Sequence, residues 1–131
     1  MIVHFPVGLL ISGVVFEIYG ALRNDGVAET AGRYNIRFGF WCLFPVLLVG
    51  FLGMISLENT EEFKDFLSSH LTFALCTAGL FFSAMLVSRY LRQPLGRALY
   101  FIIIGVGGIC LLTTGYFGGE LVHRFGVSTH Q

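Results

Sequence analysis

Charge is scarce in this chain. Only 12% of its 131 residues are Asp, Glu, Lys or Arg, and eight acidic side chains balance eight basic ones. A soluble domain of this size needs far more polar surface to cover its core. The balance leaves no basic footprint, which argues against nucleic acid as a partner. Cysteine is sparse as well. Cys42, Cys76 and Cys110 each fall midway along an apolar run, and none belongs to a C-x-x-C pair. That spacing excludes a disulfide framework, an iron–sulfur site and covalent c-type haem attachment. They read as small hydrophobes. No Gly-rich phosphate loop and no nucleophile–base pair occurs, so a soluble enzyme has no support.

Apolar residues fill the space that charge leaves. Hydrophobic residues make up 55% of the chain, with fourteen Phe and seventeen Gly, and mean hydropathy is +0.77. Glycine is commoner in membrane helices than in soluble ones. Four apolar segments stand out, at about 2–22, 37–57, 70–90 and 98–118. Each is long enough to cross a hydrocarbon core of about 30 Å. The first has no basic leader or small-residue cleavage site, so it reads as a retained helix. Pro6 falls in its first turn, where a missing N–H costs nothing. Pro45 lies inside the second, where neighbouring helices can satisfy the freed carbonyl. Gly105, Gly107, Gly108 and Gly115 in the fourth permit close backbone approach. The fold class expected is all-α: one integral membrane four-helix bundle of up-down topology, forming a single domain over 1–131.

The connections are polar. Residues 23–36 carry Arg23, Asp25, Glu29 and Arg33, with Asn24-Asp25-Gly26 as turn chemistry. Residues 58–69 carry Glu58, Glu61, Glu62, Asp65 and Lys64 between Phe63, Phe66 and Leu67. A short helix on the membrane surface fits them, with Ser68 or Ser69 capping the third segment. Residues 91–97 form a tight turn. Arg23, Arg33, Arg37, Arg89, Arg92 and Arg97 fall on one side of the membrane, against Lys64 and Arg124 on the other. The positive-inside rule then sets both termini outside, in the periplasm if the cell is Gram-negative.

Every histidine collects on that outer side: His4, His70, His123 and His130. Histidine inside membranes ligates metal or haem, moves protons, or bonds helices together. His4 and His70 begin two helices at similar depth. Small residues lie one and two turns below each: Gly8 and Ser12, and Ala74 and Ala78. Opposed imidazoles with a slot beneath them suit the axial bonds of a haem iron. Arg124, Tyr116 and the serines before His70 suit propionates. On spacing alone, interfacial histidines bonded to backbone or headgroups, and a bare metal site, fit too. Glu17 is the other intramembrane acid. It either reaches the cytoplasmic interface or serves a proton relay or quinone contact. Glu120 either orients the His123 imidazole through a hydrogen bond from its carboxylate or faces water.

Two stretches together carry a resemblance. Val3-His4-Phe5-Pro6-Val7-Gly8-Leu9-Leu10 resembles the "VHFPIALL" opening of a family of small bacterial four-helix membrane proteins, catalogued as a domain of unknown function. Gly118-Gly119-Glu120-Leu121-Val122-His123-Arg124-Phe125-Gly126-Val127 resembles its closing "GGxLVYxHGV". His70 matches the histidine opening the family's third helix. Two departures stand out. The family's histidine-proline ahead of the first motif would fall before Met1. His123 replaces the closing tyrosine and Phe125 the closing histidine, a displacement of two residues and about 200° on a helix. The family resembles redox modules by association with Rieske and c-type cytochrome domains. The resemblance implies haem b held axially by His4 and His70, with His123 as substitute or second-site ligand. It implies a subunit that moves electrons between the quinone pool and a periplasmic carrier within a larger complex. The competing expectation is a cofactor-free accessory subunit of a respiratory or photosynthetic complex. Mid-membrane polar groups are few, which disfavours a transporter.

Overall fold

The computed structural model describes residues 4–55, 61–91 and 94–125. They form four helices: α1 (His4–Arg23), α2 (Gly26–Ile55), α3 (Glu61–Tyr90) and α4 (Leu95–Phe125). Much of the polar connection expected at 23–36 is therefore helix. The chain reverses at Asn24-Asp25. Asn24 takes a left-handed conformation, φ 52°, which asparagine tolerates better than most residues. The Asp25 carboxylate accepts from the backbone N–H of Val27 at 3.0 Å and of Ala28 at 3.2 Å. That caps α2 and lets its polar first third be helical.

The connection expected at 58–69 is likewise helical from Glu61 onward. Those residues are the first turns of α3 itself, not a separate surface helix, and residues 56–60 lie outside the described part. Ser68 is interior to α3, its carbonyl accepting from Thr72 Oγ1 at 2.8 Å, so it is no cap. Polarity marked where the helices leave the apolar layer, and the helices run on past that point. Pro6 is buried in the first turn of α1, and α2 continues through Pro45.

The helices pair as two antiparallel hairpins, α1 with α2 and α3 with α4. Glycine sets the first hairpin. A Cβ on Gly13 would lie 2.7 Å from Ile36 Cγ1, one on Gly20 2.6 Å from the Glu29 nitrogen, and one on Gly32 2.7 Å from the Glu17 nitrogen. Backbones this close admit no side chain between them. Aromatic packing sets the second. Phe73 stacks on Phe117 at 5.7 Å, and Phe81 fills the space beside Gly107. The hairpins meet more sparsely, through Phe40 on Phe82 at 5.9 Å, Val14 on Gly108, and polar contacts at one end. α1 and α3 lie diagonally across the bundle, with no close backbone approach among the described residues. Leu10, Ile36, Phe81, Ala84 and Ile104 form the centre of the core.

The outside is apolar. Among the described residues, α1, α3 and α4 are long and apolar enough to cross a membrane, yet only 22–28% of each spanning window is buried within the protein. Phe5, Leu22, Trp41, Leu48, Ile102 and Ile109 all face outward. In water such a surface would aggregate; lipid or protein must cover it.

Candidate functional sites at the two ends of the bundle

Polar chemistry gathers at both ends. At the histidine end, His70 is half-buried between α3 and α4. Its Nδ1 lies 3.0 Å from the Thr114 carbonyl oxygen. A carbonyl can only accept, so Nδ1 carries a proton and donates. In the neutral ring Nε2 then holds the lone pair, the form in which imidazole binds metal. Gly118 makes room for the ring, since a Cβ there would sit 3.1 Å from His70 Cε1.

His4 is the first residue of α1 and is exposed. Its level follows from the register of α1 against α4. Val14 rests on Gly108 and Glu17 on Tyr100, so the helices run antiparallel. Counting ten residues back from Val14 reaches His4, and ten on from Gly108 reaches Gly118, the residue beside His70. The two histidines therefore stand at a similar height on diagonal helices. Nothing joins them directly. The slot residues do not all lie free: Ser12 Oγ donates to the Leu9 carbonyl and accepts from Asn35 Nδ2 at 3.1 Å, whereas Gly8 has open space around it.

His123 is exposed in the last turn of α4. Arg124 is bonded to Glu120, lies 3.7 Å from Glu62 on α3, and sits 5.2 Å above the Phe66 ring. Glu120 is thus committed to arginine rather than to orienting His123. His130 lies outside the described residues. Among the described residues no group of three or more His, Cys, Asp or Glu is arranged to hold a metal ion.

The opposite end holds a constellation that sequence reasoning found only in part. Glu17, on α1, is 1% exposed. Its Oε1 accepts from the Tyr100 hydroxyl of α4 at 3.0 Å and pairs with Arg33 Nε of α2 at 3.2 Å. Arg33 also reaches Glu29 at 3.0 Å, and Glu29 takes Arg97 of α4 at 2.7 Å. Five side chains on three helices form one connected network. Both donors to Glu17 converge on one oxygen. The other, Oε2, is buried with no donor among the described residues. Glu17 also lines a cavity of about 80 Å³, together with Arg33, Arg97, Ser88 and Tyr100.

Glu17 was visible as an intramembrane acid. Its expected reach to the interface is not what the side chain does: it turns inward. Its partners carried a weaker signal. Gly13, Glu17 and Gly20 follow helical spacing, which puts the acid on the glycine face that meets α2. Glu29 and Arg33 are an i,i+4 pair. Tyr100 and Arg97 arrive through tertiary packing, and nothing local announces them.

Four helices, three with spanning windows that face mostly outward, define an α-helical integral membrane protein. The chain belongs to the DUF2231 family, described as a predicted membrane protein, whose model matches residues 1–131. No curated protein and no solved structure matches it.

Proposed function

We propose that the chain is a four-span subunit of the bacterial inner membrane, with both termini on the periplasmic side. In this reading it binds haem b near that face and passes electrons between the quinone pool and a periplasmic carrier in a larger complex. A Rieske or c-type cytochrome protein is the kind of carrier that fits. The fourth span would be the apolar run 38–55 of α2, and the arginines at the Glu17 end set the orientation.

The observation that carries the reading is His70. Its Nδ1–H is committed to the Thr114 carbonyl, so the ring is oriented and Nε2 is left as a donor atom. That is how metal-binding histidines are commonly held. His4 stands at a similar height on the diagonal helix, and His123, exposed at the same end, is the substitute or second-site ligand. Arg124 holds positive charge at the same end for propionates, shared with Glu120 and Glu62. Haem bound there would supply one-electron chemistry between ferric and ferrous iron. The protein's part is to fix the imidazoles, exclude water with its phenylalanines, and tune the iron by its low-dielectric surroundings.

His4→Ala and His70→Ala test the assignment. Each single variant is expected to change the reduced haem spectrum, and the double variant to lose haem. A double variant with an unaltered spectrum would remove these two residues as ligands.

A second reading rests on a separate observation. Most of each spanning window faces outward, and the two hairpins are only sparsely joined. A cofactor-free accessory subunit, packed against a larger complex, would use that surface. Complex assembly lost on deletion, together with a colourless isolated protein, would favour it.

A further inference from the structure

The Glu17 cavity lies at the end of the bundle away from the histidines, and what it does is independent of whether haem is bound. Its defining features are that Glu17 lines it and that the Glu17 carboxylate carries a buried oxygen with no donor among the described residues. Such an oxygen is costly to leave unpaired. A cavity of about 80 Å³ is well above the roughly 10–15 Å³ needed to hold a water. Its walls are suited to water. Tyr100 donates to Glu17 and keeps lone pairs free to accept. Ser88 donates to the Met85 carbonyl at 2.9 Å and likewise keeps acceptor capacity. Arg33 and Arg97 are 48% and 43% exposed, so the cavity wall runs out to the surface at the arginine end.

We infer that this cavity is a hydrated proton-exchange site, in which water reaches Glu17 Oε2 from the arginine side and the Glu17 carboxyl takes up and releases a proton there. In uptake, a hydronium in the cavity gives its proton to Oε2 and becomes water; release is the reverse. No other reactant is needed.

The surrounding charges allow both states. From α2, Arg33 and Glu29 face Glu17. From α4, Tyr100 and Arg97 do so. α3 adds Val87 and Ser88 to the wall, neither of which titrates. With Glu17 ionised, two carboxylates balance two guanidiniums. With Glu17 protonated, Arg33 still holds Glu29, which also holds Arg97, so no guanidinium is stranded. Glu29 is the shared counter-ion that makes the change at Glu17 tolerable. The Tyr100 hydroxyl donates to Oε1 in both states, so only Oε2 need change partners.

Infrared difference spectroscopy on the full chain in lipid vesicles tests this. Stepping the pH on the arginine side should produce a protonated-carboxyl C=O band that shifts in D2O. Glu17→Gln should abolish the band. Glu17→Asp, which keeps an acid, should move it, identifying the residue even if Glu17→Gln does not fold. Val87→Phe fills the cavity from α3 without touching the acid, and should slow exchange at least tenfold. A Glu17 band indifferent to pH and D2O would overturn the inference. So would the absence of any band that responds to Glu17 substitution, or wild-type exchange in Val87→Phe.

Discussion

Tyr100 and Arg33 share one oxygen of Glu17, and that asymmetry governs how substitutions there should behave. Tyr100→Phe removes the hydroxyl and leaves Arg33 as the only donor to Oε1. Intramembrane hydrogen bonds average about 0.6 kcal/mol, whereas bonds to charged groups in soluble proteins reach about 1.5–3 kcal/mol. An exposure of only 1% puts Glu17 toward the upper figure. The expected loss is about 1–2 kcal/mol, read as a lowered midpoint of unfolding in mixed micelles. Arg33→Met should cost more than Tyr100→Phe, because it strands a buried charge and one Glu29 partner together. The reverse order would show that Arg33 is bound to solvent rather than to Glu17. At the other end, Gly118→Val would crowd the His70 ring off its present position. It should alter the environment of that imidazole as strongly as removing the Thr114 bond, visible in the histidine ring signals. At this scale the sequence was legible for single residues and not for their partners. Glu17, His4 and His70 could be singled out because polar groups are rare in an apolar background. Tyr100 could not, because nothing in a tyrosine near a helix end distinguishes an interfacial ring from a buried donor.

Two glycine-packed helices behave differently from two aromatic-packed ones. In the α1–α2 hairpin the backbones nearly touch at Gly13, Gly20 and Gly32, so an added side chain must separate the helices. Gly32→Leu should cost about 1–3 kcal/mol as overpacking, and should also pull Arg33 from Glu17, since both effects act across the same contact. Gly8→Leu, at a site with open space, should cost far less. Comparing the two by unfolding separates a packing role for glycine from mere composition. Asp25→Ala removes the cap of α2; about 1 kcal/mol of loss is expected, measurable in the same way. Element type was readable from the apolar runs, all four of which became helices. Their ends were not. Residues 26–36 and 61–69 are polar, and polarity measures distance from the apolar layer rather than the end of a hydrogen-bonded helix. Local cues such as the Asp25 cap outweighed it.

Across the described residues, the chain puts most of its arginines at one end and His4, His70 and His123 at the other. The Glu17 network ties α1, α2 and α4 together at the arginine end, while His70 and Arg124 tie α3 to α4 at the histidine end. Each end thus has its own polar lock, and the sparse middle between the hairpins is apolar. This division was open to the sequence as far as the end of the bundle at which each residue falls. Which helices are neighbours was not, since more than one arrangement of four antiparallel helices is possible. The diagonal placement of α1 and α3 came from packing alone. It bears on the proposed function because it sets His4 and His70 on helices that are not neighbours. A reduced-minus-oxidised absorption spectrum of the detergent-purified full chain, with pyridine extraction of any pigment, tests that most directly. A b-type spectrum that is lost when His4 and His70 are both replaced is the result predicted. A colourless, iron-free protein, prepared under conditions that retain haem in a control cytochrome, would contradict it.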